Sequence, residues 1–203
     1  MRKMVLVAIA VVAIAGCRKK EAPAAQQSPA TRGTTTTTAT ATVATETAPQ
    51  TPATATGTEV GSRMPDYQAE YLDGTPFDVS KERGNVVLLN LWATWCGPCV
   101  HEIPELQRLH DQHAAEGFKV VGVSLDEAGA DVVKSFVAEH KMTYPIALDP
   151  PGKLAAVFQT SVIPSTVLIG RDGTILWKRF QYIEQGDREL AAAIEKALAQ
   201  KRS

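Results

Sequence analysis

The sequence is short of cysteine, of aromatic residues and of net charge, and each shortage closes off a class of protein. Its three cysteines are Cys17, Cys96 and Cys99. No second pair exists to complete a tetrahedral zinc site around Cys96-Gly97-Pro98-Cys99, and His101 has no companion ligand near it in the sequence. Against 22 acidic residues stand 21 basic ones, for a formal charge of -1, or -3 without Arg2 and Lys3. No basic patch dominates, which argues against a nucleic-acid partner. The apolar run at 4–14 falls short of the roughly 20 residues that a membrane crossing takes.

That run is preceded by Arg2 and Lys3 and followed by the small pair Ala15-Gly16, the pattern of a signal peptide over 1–16. Ile14-Ala15-Gly16-Cys17 resembles the lipobox of bacterial lipoproteins. The resemblance implies that Cys17 is acylated and becomes the first mature residue, with Arg18-Lys19-Lys20 adding a weak attraction to anionic headgroups. Residues 17–60 are almost wholly Ala, Thr, Pro, Gln and Ser, with no aromatic side chain. Such a stretch cannot offset the entropy of ordering and reads as a disordered tether. Its root-mean-square reach is roughly 35 Å by chain statistics. With Cys17 as the anchor, Cys96 and Cys99 remain, in an export setting where two cysteines usually bridge. A loop that small gains little stability from a bridge. Reversible chemistry is therefore the better reading of the pair.

Past Val60 the texture changes, and a folded domain over 61–203 is expected. Strands at 67–72 and 75–79 around Asp73-Gly74 make an edge hairpin. Residues 86–92 form a near-continuous apolar run, as in a strand buried on both faces. A helix over 98–115 carries Ile103, Leu106 and Leu109 on one side. A strand at 119–125, a helix at 131–140, a short strand at 145–148 and a short helix at 152–158 follow. Strands at 165–169 and 174–180 and a helix at 187–199 close the chain. Strands alternating with helices imply an α/β sandwich, a central mixed sheet covered on both faces.

The densest chemical signal is Trp92-Ala93-Thr94-Trp95-Cys96-Gly97-Pro98-Cys99, where the buried strand gives way to a helix. A thiolate at a helix N-terminus faces unpaired amides and the positive end of the macrodipole, so its pKa falls from about 8.5 toward 7 or below. Cys96, the outer of the two, is the expected nucleophile, and Cys99, one turn in, the expected resolving thiol. Pro98 suits the first helical position. Gly97 leaves room for a partner's backbone. Of Trp92 and Trp95, at least one is expected to shape the surface around Cys96. Glu102 falls one turn past Cys99 on the same helix face, where a carboxylate can exchange the proton of Cys99. Pro104 should kink that helix. His110 and His113 are expected on its polar, solvent side, and His101 lies nearer Cys99.

These motifs resemble the thioredoxin superfamily, and within it the TlpA/ResA-like branch of tethered extracytoplasmic thiol-disulfide oxidoreductases. Met64-Pro65-Asp66-Tyr67, the stretch from Leu88 through Cys99, Glu102-Ile103-Pro104, Ile163-Pro164-Ser165-Thr166 and Asp172-Gly173 carry the resemblance, which spans nearly all of 61–198. It implies a thioredoxin-like fold with an N-terminal hairpin and one strand-helix insertion. It further implies a cis Pro164 against the active-site pair, with the Ile163 backbone as an edge that an extended substrate joins. The substrate-contacting set is then Trp95, Gly97, Pro98, Ile163 and Pro164, with no cofactor beyond the Cys96–Cys99 pair and a monomeric protein. Two positions depart from the pattern: Asn90 stands where thioredoxins carry a buried Asp, and Val162 where many relatives have Gly.

The leading function is a disulfide reductase of exported protein thiols. The resemblance suggests cytochrome c or copper-site assembly clients and a membrane-embedded electron donor of the DsbD/CcdA type. A dithiol oxidant and a tethered Cu(I) chaperone using both thiolates are the alternatives. A peroxidase is disfavoured, because Thr94-Trp95-Cys96 lacks peroxidatic surroundings.

Overall fold

Seven consecutive residues, every one buried, make the central strand β3 (Val86–Trp92). It pairs in parallel with β4 (Phe118–Ser124) and antiparallel with β6 (Ser165–Ile169). Neither face of such a strand meets water, which is why its sequence does not alternate. The structure, a computed structural model, describes residues 55–200. The leader-like segment, Cys17 and most of the stretch expected to be a tether lie outside the described residues.

Around β3 the sheet has seven strands in the order β2-β1-β5-β4-β3-β6-β7. The expected hairpin, β1 (Gln68–Tyr71) and β2 (Pro76–Asp78), forms one edge, joined through β5 (Ile146–Leu148), and β7 (Ile175–Arg179) forms the other. Four α-helices cover the faces: α1 (Gly97–His113), α2 (Ala130–Glu139), α3 (Lys153–Val157) and α4 (Arg188–Leu198). Alternate residues of β3 enter two separate cores. Val86, Leu88 and Trp92 pack with Ile103, Leu106 and Leu109 of α1, Val133 of α2 and Leu190 and Ile194 of α4. Val87, Leu89 and Leu91 pack with Leu154 of α3 and with Met64, Tyr67 and Phe77 on the opposite face. This is the α/β sandwich that the sequence pattern implies, with α2 and β5 as the added unit.

Residues 56–63 also belong to the ordered part. Arg63 bridges Thr174, the Ile175 N–H donates to the Ser62 carbonyl, and Lys178 Nζ holds the Thr58 carbonyl and the Glu59 carboxylate. Backbone hydrogen bonds fasten this stretch, and composition does not register them. Among the described residues no helix is long and apolar enough to cross a membrane.

One glycine is required by packing in the core. A Cβ on Gly122, in the middle of β4, would stand 2.7 Å from Ile146 Cδ1, 3.0 Å from Trp92 Nε1 and 3.2 Å from the Tyr144 ring. Protein interiors absorb such overpacking badly. Gly122→Ala should therefore lower the unfolding free energy in urea by about 2 kcal/mol. An unchanged midpoint would mean that the indole and the tyrosine ring have room to retreat.

Candidate active site

The polypeptide leaves β3 at Trp92 and is pinned before it reaches the first cysteine. Asp126, buried just past the end of β4, accepts from the Thr94 N–H at 3.0 Å, from the Thr94 hydroxyl at 2.5 Å and from the Ser124 hydroxyl at 2.7 Å. A buried carboxylate with this many donors fixes the loop in one conformation. The two tryptophans consequently part company. Trp92 is buried, whereas Trp95 is 71% exposed and stands on the surface next to Cys96.

Cys96 is the N-cap of α1. Its backbone is extended, and its Sγ accepts the Cys99 N–H at 3.3 Å, a donor that no helical carbonyl could reach. The two sulfurs are bonded, with Cα atoms 5.2 Å apart. Both cysteines are buried, Cys96 at 6% exposure and Cys99 at 1%, so the outer residue is the more accessible of the two. Gly97 and Pro98 are both exposed. Helix α1 begins at Gly97, which makes Pro98 the second helical residue rather than the expected first; its N–H is equally dispensable there. The helix continues through Pro104 to His113.

Glu102 lies in the interior one turn past Cys99, 1% exposed. Asn90 Nδ2 donates to its Oε1 at 2.6 Å and the Ile183 N–H to its Oε2 at 3.1 Å. Burial raises its pKa from 4.5 to about 7, and the two hydrogen bonds, which favour the ionised form, hold the rise there. A carboxyl group that ionises near neutrality can both accept and release a proton under working conditions. Tyr144, buried in the same core, is raised above the ordinary tyrosine range by burial and by the charge of Glu102. Glu105, one turn on, is also buried and pairs with Arg108 at 2.6 Å. Glu102 thus ties α1 to the segment between β7 and α4.

Pro164 precedes β6, and the Ile163–Pro164 peptide bond is cis. Ser165 registers opposite Leu91, which sets Pro164 level with the end of β3, where the cysteine loop departs. Among the described residues the Ile163 backbone makes no main-chain hydrogen bond, and Val162 beside it is 49% exposed.

The histidines on α1 differ from expectation. His101 is exposed, but His113 is buried, with Nδ1 2.7 Å from Glu116 and its ring against Phe118; His110 is half-buried against Tyr144. The helix packs more of its circumference than its Ile/Leu stripe indicates, because the 3-10 turn at Ala114–Glu116 and the segment before β5 close over it. Asp126, Thr166 and the Ile183 amide were not legible as site components. Asp126, directly after an apolar strand and opposite a loop bearing Thr94, left a faint trace; a main-chain amide leaves none.

A sulfur over a helix start beside an exposed tryptophan, a more deeply buried partner one turn in, a buried carboxyl poised near neutrality and a cis-proline together make a thiol-disulfide exchange site. Known proteins agree. Residues 60–178 match the AhpC/TSA family. The chain belongs to that family.

Within this family it is a thiol-disulfide oxidoreductase of the ResA type. It is 35% identical over 120 residues to the thiol-disulfide oxidoreductase ResA of Oceanobacillus iheyensis, a span of 57% of this chain and 62% of that one. Against ResA of Geobacillus kaustophilus the identity is 32% over 120 residues, covering 59% and 68%. Among solved structures, one from Chlorobium tepidum, described as a thiol:disulfide interchange protein DsbE, superimposes with a TM-score of 0.64 at 30% identity. That superposition covers 70% of this chain and 99% of the other.

Proposed function

We propose that this oxidoreductase is an extracytoplasmic, lipid-anchored reductase of exported protein disulfides, with Cys96 as nucleophile, Cys99 as resolving thiol and Glu102 as the proton partner of Cys99. The observation that carries the reading is the placement of the pair: Cys96 Sγ caps α1 and takes the Cys99 N–H at 3.3 Å, while Cys99 is shut away from solvent. The leader-like sequence ending in Cys17 and the Thr/Ala-rich stretch behind it support the location, on the periplasmic side and tethered to a membrane.

The cycle starts from the dithiol. Cys96 thiolate attacks one sulfur of a client disulfide; that S–S bond breaks, and the client's other sulfur departs as a thiolate. Cys99 passes its proton to Glu102 and attacks Cys96 Sγ. The bond between Cys96 and the client breaks, the client's second thiolate leaves, and the proton held by Glu102 is returned to it. Two electrons have moved to the client, and the protein holds the Cys96–Cys99 disulfide. A membrane-embedded dithiol donor of the DsbD/CcdA type restores it. Trp95, Gly97 and Pro98 form the client's landing surface, and the unpaired backbone at Ile163, before Pro164, receives an extended segment of it. Cytochrome c or copper-site assembly proteins are the client class.

Equilibration with glutathione buffers tests the direction of electron flow. The reading expects a potential near or below about -250 mV, whereas one near -120 mV would make the protein a dithiol oxidant instead.

A further inference from the structure

Glu102 must be tolerated in the core both with and without its proton. The group that faces it is an amide. Asn90, on β3, is 2% exposed and Thr166, on β6, fully buried; the two register opposite one another across the β3–β6 pair. Asn90 Nδ2 donates at once to Glu102 Oε1, at 2.6 Å, and to Thr166 Oγ1, at 3.0 Å. This places the amide's donor end on the carboxylate, the arrangement that suits an ionised Glu102.

An amide has a second end. Turned over, the same side chain offers Oδ1, which accepts from a protonated carboxyl group, and a threonine hydroxyl can rotate to donate where it previously accepted. An aspartate could do both only by titrating itself, and an apolar residue does neither. A second carboxylate would repel the first, and an apolar side chain would leave a buried charge with one donor fewer.

We propose that Asn90 is a positioning residue that lets Glu102 gain and lose its proton in place, its amide donating to the carboxylate and, turned over, accepting from the acid, with the Thr166 hydroxyl completing the pair in both orientations. The proposal rests on the reading of Glu102 as the proton partner of Cys99. Other groups facing Glu102 are few. Tyr144, from the segment ahead of β5, titrates far above neutrality; Cys99 lies one turn back on α1; the segment after β7 contributes the uncharged Ile183 amide. Burial and these two hydrogen bonds, rather than an ion pair, govern its proton.

The test is a carbon-13 carboxyl titration of Glu102 in the oxidised protein, with Glu102→Gln assigning the resonance, beside the pH profile of mixed-disulfide resolution in the reduced protein. Asn90→Ala should raise the Glu102 midpoint by about one pH unit, because the charge-assisted bond it removes is worth more than the neutral one. The resolution profile should move with it. Asn90→Asp, nearly identical in size, should split the titration into two coupled steps. Circular dichroism establishes that each variant is folded, and should Asn90→Ala not fold, Asn90→Asp alone decides. A Glu102 midpoint unmoved in the variants that fold would overturn the proposal, and a loss of stability with no change of midpoint would leave Asn90 a merely structural residue. Should the midpoint move while Glu102→Gln resolves mixed disulfides with the wild-type pH profile, the assignment of Glu102 to Cys99 falls, and the Asn90 switch stands.

Discussion

Cys99→Ser is expected to turn a catalyst into a trap. On the proposed cycle the covalent intermediate between Cys96 and a client is short-lived, because Cys99 sits one helical turn inward, its Cα 5.2 Å from that of Cys96, and needs no large movement to attack. A serine hydroxyl in that position cannot displace a thiolate under working conditions. Turnover of a model disulfide should fall on the order of 10³-fold or more, and a disulfide-linked adduct of protein and client should accumulate, visible on a non-reducing gel and by mass. Cys96→Ser should lose the same activity with no adduct at all. The contrast follows from exposure. Cys96, at 6%, is the more accessible of the two and adjoins the exposed Trp95; Cys99 is at 1%. If Cys99→Ser continues to turn over, or if Cys96→Ser forms the adduct, the assignment of nucleophile and resolving thiol is reversed or wrong. The adduct has a further use, since recovered from cells it names the client.

Much of this site was legible because its parts are close in sequence. Val86 through Cys99 encode a buried strand, a turn and a helix start in 14 consecutive residues, and period and composition suffice to place both sulfurs. The same local logic put Glu102 on the cysteine face of α1, since three residues is close to one turn. What local logic could not supply was the remainder of the environment. Nothing near Glu102 in the chain announces that Asn90 and Ile183 supply its hydrogen bonds, 12 and 81 residues away. Nor does Thr94 announce Asp126, 32 residues on. Pro164 illustrates the boundary: by base rate an X-Pro bond is trans, and only the likeness of its surrounding motif to a known family pointed to the cis form found in the structure. His113 shows the opposite failure, because a polar residue on a polar face was drawn inward by Glu116 and Phe118 from beyond the end of the helix.

Burying a carboxyl group that ionises near neutrality makes stability depend on pH, and Glu102→Gln should remove the dependence. In the unfolded chain Glu102 ionises at its ordinary value of 4.5, and in the folded protein at about 7. Below pH 4.5 both states hold the proton, and the group costs folding nothing. Between 4.5 and 7 the unfolded chain has released a proton that the native state retains, so stability falls as pH rises; above about 7 the loss is complete and levels off. The total is about 3 kcal/mol, the free energy equivalent of the displacement. Urea unfolding of the oxidised protein measures this without interference from the cysteines, whose disulfide is intact in both variants. The remaining histidines contribute their own pH dependence, but equally to wild type and variant, so the difference between the two curves isolates Glu102. Glu102→Gln should match the wild type near pH 4 and exceed it by about 3 kcal/mol at pH 8. Curves that stay parallel across that range would show that Glu102 is ionised throughout, and a carboxylate with no proton to return could not serve Cys99. On the proposed cycle activity should move in the opposite sense, because the variant that gains stability has lost the group assigned to take the resolving proton. Gain and loss in one substitution would mark the buried carboxyl as kept for chemistry at the expense of the fold.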